Sequence, residues 1–310
     1  MKTAAKYMAM ILTMLVTYAS DVFSQQDPMY THYMFNTLAV NPAYAGSRGM
    51  LNVSGLFRTQ WVGLDGSPTT QTAYVHSPFL EKKMGLGLTV VNDKIGPMNQ
   101  TLFFGDYSYT IQTTEKTKLA FGLKAGFNML KVGLTEVNTG SNTIADPAFQ
   151  QDIKNKIAPN FGFGMYYYSD MWYVGVSTPK LIENKYTNST VSDAAEKRHF
   201  FVIGGYVFKI NESVKFKPAI LGKFTDGAPA SIDLTANFLF REKVWLGGAY
   251  RFGDSFSFLV ELQVTDQLRV GYSYDYNTSQ LRKVNSGSHE IMLSYDFQFS
   301  RGKIISPRYF

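Results

Sequence analysis

The sequence predicts an all-β protein: a transmembrane antiparallel β-barrel of about 14 strands with a short N-terminal periplasmic segment. Three observations carry that expectation. Apolar and polar residues alternate with a period of two over most of the chain, as in HEIMLSYDFQF at 289 to 299, and that period belongs to strands whose side chains point to opposite faces. The connections between candidate strands sort into short polar turns and longer loops. Beyond the N-terminus, no apolar run is long enough to cross a bilayer as a helix, so membrane residence must be as a barrel.

Composition narrows the choice. The 310 residues include 24 Phe, 20 Tyr and 26 Gly, with 17% charged residues. That is too polar for a bundle of membrane helices and too aromatic for an ordinary soluble α/β enzyme. With no cysteine there is neither a disulfide framework nor a thiolate metal site. The net charge of +6 is spread without a dense run of Lys and Arg, which argues against nucleic acid as a partner.

Residues 1–24 read as a signal peptide. Lys2 and Lys6 precede an apolar run from Tyr7 to Tyr18, and small residues lead to an expected cleavage near Ser24. Residues 25–49 do not alternate. Tyr30, Tyr33, Met34 and Leu38 lie at helical spacing before Asn41-Pro42 and Gly46, so a short amphipathic helix and a turn are expected. This stretch is either a packing plug or a periplasmic contact site.

The barrel is expected over residues 50–300, with strands at about 50 to 60, 69 to 79, 84 to 93, 100 to 112, 117 to 131, 159 to 169 and 171 to 178, and then at 198 to 209, 213 to 224, 230 to 240, 243 to 252, 255 to 264, 267 to 277 and 288 to 299. An even count returns both termini to one side of the membrane. Short polar turns are expected at Lys82-Lys83, Thr114-Glu115, Ser169-Asp170, Asn211-Glu212, Arg241-Glu242 and Asp266-Gln267. The long connections, 132 to 158 and 179 to 197, both fall at the opposite end. The last strand should descend to the periplasm and close against the first.

Facing follows from energetics. An Arg or Lys set in mid-bilayer lipid costs about 2 to 4 kcal/mol, so Lys124, Asp233, Arg251, Glu261, Arg269, Asp275, Glu290 and Asp296 are expected to face the lumen. Glycines accumulate on that face, among them Gly85, Gly122, Gly162 and Gly164, where they leave room for neighbouring side chains or for an inserted chain. Tyr166-Tyr167-Tyr168 and Tyr272 to Tyr276 suit interfacial girdles. Arg58 to Gln71, RTQWVGLDGSPTTQ, reads as a hairpin loop with turn chemistry and a buried Trp61 anchor, or as a contact surface. The tail, residues 301–310, is expected on the periplasmic side, with Phe299 or Phe310 as an insertion signal.

No catalytic constellation emerges. His32, His76, His199 and His289 show no ligand spacing, and no nucleophile elbow, phosphate loop or dinucleotide fingerprint is present. The expectation is a non-enzyme without cofactor, with hydrogen-bonding roles at the barrel rim for His32, ahead of the barrel, and for His199 and His289, which begin strands after long loops.

Several blocks carry a family resemblance: QQDPMYTHYMFNTLAVNPAYAGS from residue 25, FRTQWVGLDGSPTTQ from 57, GLGLTVVNDKIGP from 85, PNFGFGMYYYSD from 159, KFKPAILGKFTDGAPASIDLTANFLF from 215, LRVGYSYDY from 268 and GSHEIMLSYDF from 287. Together they resemble the PorP/SprF family of Bacteroidetes outer-membrane proteins. The resemblance implies an outer-membrane accessory of the type IX secretion system that helps secrete an adhesin-like protein and anchor it at the cell surface, with gliding motility in some members. It also implies two kinds of partner, a cargo with a type IX C-terminal domain and periplasmic secretion or gliding components. In the two candidate contact stretches the partner-binding candidates are Tyr30, Tyr33, Phe35, Asn41, Tyr44, Arg58, Trp61 and Asp65. The rival from another class is a diffusion porin or small-solute uptake channel, for which a polar lumen is equally suitable.

Overall fold

The computed structural model describes residues 28–80, 83–135, 152–184, 196–297 and 309. The stretch expected to be a signal peptide, residues 25–27, Phe299, Phe310 and most of the tail lie outside the described residues. So do parts of both long connections.

One antiparallel sheet closes on itself. Its strands are β1 (Leu51–Thr59), β2 (Thr69–Phe79), β3 (Met84–Ile95), β4 (Met98–Gln112), β5 (Lys118–Val132), β6 (Ile153–Tyr168) and β7 (Trp172–Thr178), followed by β8 (His199–Tyr206), β9 (Phe208–Lys209), β10 (Val214–Thr225), β11 (Ala228–Phe240), β12 (Val244–Arg251), β13 (Ser255–Gln263), β14 (Leu268–Asn277) and β15 (Ser288–Phe297). β8 and β9 share one register against β10, with Ala219 opposite Gly205 and Lys215 opposite Lys209. They form a single strand broken at Val207, which makes a 14-stranded barrel. β15 closes on β1, from Leu51 opposite Phe297 to Thr59 opposite His289. Closure gives each strand a neighbour on both sides, as lipid demands.

The strands alternate as a barrel wall must. Leu88 and Leu123 are 63% and 61% exposed, while Lys124 between the outward residues of β5 is buried. On β15, Ile291, Leu293 and Phe297 face out, and Glu290 and Asp296 face in. The tyrosine run divides by the same rule: Tyr167 points outward onto Trp172, but Tyr166 and Tyr168 face the lumen. Three consecutive tyrosines on a strand cannot all join one girdle.

The turns follow their residues. Arg241 and Glu242 both have positive φ, and the Lys243 amide donates to the Phe240 carbonyl at 2.9 Å, the form of tight hairpin whose twist matches flanking strands. Gly96, at φ 52°, precedes Pro97 and lets β3 and β4 run to a two-residue turn rather than the longer loop expected there. β6 starts six residues ahead of its expected position, at Ile153. Lys154 and Lys156 hide that start in the sequence pattern, and a register shift between Leu130 and Val132 accommodates it.

Candidate functional site

The lumen is filled by the chain's own N-terminal segment. Nearly every residue from Tyr30 to Ala45 is buried, including Met34, Leu38 and Tyr44 at 2% exposure or less. The segment runs lengthwise: Thr31 meets Arg58 and Asp275 near the long-loop ends of β1 and β14, and Ala45 meets Gly85 and Ser108 near the short-turn ends of β3 and β4. It then feeds into β1. Of the two expectations for this stretch, its geometry is that of a plug.

Only Thr37–Val40, here α1, is α-helical, and Pro42–Tyr44 is a 3-10 turn. The longer amphipathic helix expected from Tyr30, Tyr33, Met34 and Leu38 does not form. A helix stripe needs one buried and one wet face, whereas here the wall surrounds the chain and supplies part of its hydrogen bonding, beside short local turns such as Phe35 N–H to the His32 carbonyl at 2.9 Å. Ser177 Oγ donates to the Val40 carbonyl and Ser108 Oγ to that of Ala45, both at 2.7 Å.

Two polar clusters grip the plug along one side of the barrel. In the first, Arg58 Nη2 lies 2.6 Å from Asp275 Oδ2, and Nη1 lies 3.1 Å from Glu290 Oε2 and donates to Thr31 Oγ1 at 2.8 Å. Glu290 also accepts the backbone amides of Thr31 at 2.9 Å and His32 at 2.8 Å, with His32 Nδ1 at 2.7 Å. A carboxylate that receives two amides and an arginine is a strong, charge-assisted anchor. In the second cluster Arg48 binds Asp296 through two nitrogens, at 3.1 and 2.6 Å, and Asn52 donates to the same carboxylate at 2.8 Å.

Across the lumen the grip is steric. A methyl group on Gly122 would lie 2.1 Å from the Ala43 nitrogen, one on Gly85 2.1 Å from the Ala45 carbonyl oxygen, and one on Gly164 2.1 Å from Asn41 Oδ1. These glycines let two backbones touch, so of the two readings of the lumenal glycines, here the inserted chain takes the space. Asn41 caps the 3-10 turn through Ala43 N at 3.0 Å and donates to the Met165 carbonyl at 2.9 Å.

The eight charged residues expected in the lumen are all buried. Besides the clusters above, Arg251 forms a fork with Asp233, the shortest contact 2.8 Å, and Arg269 lies 3.1 Å from Glu261. Lys124 pairs with Asp106 at 2.9 Å. Of the partner-binding candidates, Tyr30, Tyr33, Phe35, Asn41, Tyr44 and Arg58 are buried inside the barrel. Tyr30 OH meets Thr72 Oγ1 at 2.8 Å, and Tyr44 packs edge-on to Tyr166 with ring centroids 5.7 Å apart. Burial pushes the ionisation of Tyr33 above the usual phenol range, keeping it neutral. Trp61 and Asp65 sit apart, on the loop after β1, where Asp65 is exposed. Trp61 is half-buried rather than a buried anchor, because its positive φ of 49° turns the chain out toward residues 286 and 287.

His32 is not at the rim but inside, since the plug carries it into the lumen; His76 is also buried and accepts the Gly46 amide at 3.0 Å. His289 does stand at the rim, 2.8 Å from Tyr272 OH. One centre has no counterpart in the sequence reading. Glu196, on the connection after β7, reaches into the lumen and accepts from Asn128 at 2.6 Å, Asn184 at 3.1 Å, and Gln100 and Asn160 at 3.3 Å. Its carboxylate ties the two described ends of that connection to β4, β5 and β6. Isolated amides on separate strands gave no motif by which to find it.

Comparison with known proteins agrees with this architecture. Residues 22–295 match the family model described as type IX secretion system membrane protein PorP/SprF. No curated protein matches the chain. Among solved structures, the CymD monoaromatic hydrocarbon channel is similar with a TM-score of 0.50 and 11% identity, over 88% of this chain and 94% of that one. A Pseudomonas aeruginosa FadL homologue gives 0.47 and 12%, over 88% and 95%. The Salmonella typhi OmpF complex with daunomycin gives 0.39 and 9%, over 81% and 99%. At these identities the likeness is one of fold.

Proposed function

The chain belongs to the PorP/SprF family of type IX secretion system membrane proteins, and from that premise we propose that it is a non-enzymatic outer-membrane anchor that helps deliver a secreted, adhesin-like cargo and holds it at the cell surface. The observation that carries the reading is the plug. A lumen packed with its own buried chain, held by charge-assisted hydrogen bonds to Glu290 at one height and by the Arg48–Asp296 ion pair at another, suits a gripping platform better than a diffusion pore. The cargo's type IX C-terminal domain docks on the long-loop end. There the loops after β1 and β14 brace each other, Val62 N–H donating to the Gly287 carbonyl at 2.8 Å and Ser286 N–H to the Val62 carbonyl at 2.7 Å. Leu64, Asp65 and Val284 stand exposed on that brace. The short-turn end faces the periplasm and its secretion or gliding components, from which the energy for transport or movement comes.

Deletion of the gene tests this directly: the cargo should vanish from the cell surface while other outer-membrane barrels persist. Purified protein in planar bilayers should show no large steady conductance. A wide open pore together with undiminished surface cargo would overturn the anchor reading in favour of a solute channel.

A further inference from the structure

At the short-turn mouth, one residue from far along the chain, Tyr309, meets two lysines of the barrel wall. Lys217 on β10 is fully buried there, its Nζ 4.4 Å from the centroid of the Phe35 ring, 5.7 Å from that of Trp245 and 6.0 Å from that of Tyr173. A desolvated ammonium among aromatic faces is held by their quadrupoles. Lys215, two residues nearer the rim on the same face, pairs with Glu242 of the β11–β12 turn. Between these lysines sits Tyr309, 92 residues from Lys217 in sequence. Its ring centroid is 4.7 Å from Lys215 Nζ, its hydroxyl accepts from Lys215, and its backbone carbonyl accepts from Lys217. Lys217 Nζ also lies 3.5 Å from the carbonyl of Met34 in the plug.

We propose that this mouth is a binding site for a tyrosine borne on a peptide, that Tyr309 fills it in cis, and that Tyr309, through Lys217, thereby latches the plug. Each element has its chemical task. Lys215 reads the phenol oxygen, which a phenylalanine lacks. Lys217 reads the main chain and joins it to the plug, donating to Tyr309 on one side and facing Met34 and Phe35 on the other. Glu242 offsets the charge of Lys215, so the rim selects a neutral, hydrogen-bonding ring rather than any anion. The site makes no use of the cargo and stands or falls separately from the anchor reading.

The test uses the full chain in detergent and a fluorescent, C-terminally amidated peptide copying residues 304–310, followed by anisotropy. Wild type, whose site is occupied, should bind it weakly. The Tyr309→Ala chain should bind it at least about tenfold more tightly, a difference of about 1.4 kcal/mol. Adding Lys215→Met to that chain should remove most of the gain, and a peptide with alanine in place of its tyrosine should not bind. Equal binding by wild type and Tyr309→Ala, or binding by neither, overturns the proposal. If Tyr309→Ala loses the heat-modifiable gel shift of a folded barrel, Tyr309→Phe replaces it. That chain keeps ring and carbonyl but loses the Lys215 bond, so it should take up peptide measurably better than wild type, and no difference overturns the site.

Discussion

The two sides of the lumen hold the same plug by opposite means. Along β1, β14 and β15 the wall reaches inward with Arg58, Asp275, Glu290 and Asp296, and the plug is bound by charge. Along β3, β5 and β6 the wall withdraws its side chains at Gly85, Gly122 and Gly164, and the plug is bound by fit. The difference teaches how a mostly polar lumen can be filled by a largely apolar chain. Ion pairs and amide-carboxylate bonds satisfy the polar wall and the plug backbone on one side, and backbone contact excludes water on the other.

Each half can be broken separately. Arg58→Met leaves Asp275 and Glu290 buried without their guanidinium. Uncompensated buried charge costs about 3 to 5 kcal/mol, so urea unfolding in micelles should shift by that order and the plug should become protease-accessible. Gly122→Val attacks the steric half. Overpacking costs about 1 to 3 kcal/mol, and because the added atoms have nowhere to go but Ala43, bilayer recordings should show intermittent conductance as the plug is forced out. An unchanged, silent barrel would mean that the wall, not the plug, gives way. Tyr30→Phe removes the hydroxyl's bond to Thr72, worth about 1 kcal/mol. It should lower stability slightly and leave conductance silent, a control for the other two.

Much of the wall was legible in advance. Period-two alternation placed nearly all the strands, and the rule that lipid rejects charge placed Lys124, Arg251 and Glu290 inside. The plug's conformation was not legible. Its apolar spacing mimicked a helix, but a chain buried on every side has no preferred stripe, and its local turns are supplemented by bonds from residues such as Ser108 and Ser177 on strands far along the chain. Glu196 was invisible for the same reason. Its partners come from three strands and one loop, and only closure brings them together.

The seam between β1 and β15 has a consequence in time rather than in space. β15 is the last strand made, and it carries both Glu290 and Asp296, the carboxylates that receive the plug at two heights. β1 carries Arg58 and Asn52, which complete the same two clusters. The bonds that zip the barrel shut and the bonds that lock its contents therefore form together. A nascent barrel that closed before its first residues had been drawn inside would bury Glu290 and Arg58 without Thr31 and His32 between them, and that misassembled form carries its own energetic penalty. Filling the lumen is thus part of finishing the fold, and the segment ahead of β1 serves as a check on the strand that closes against β1.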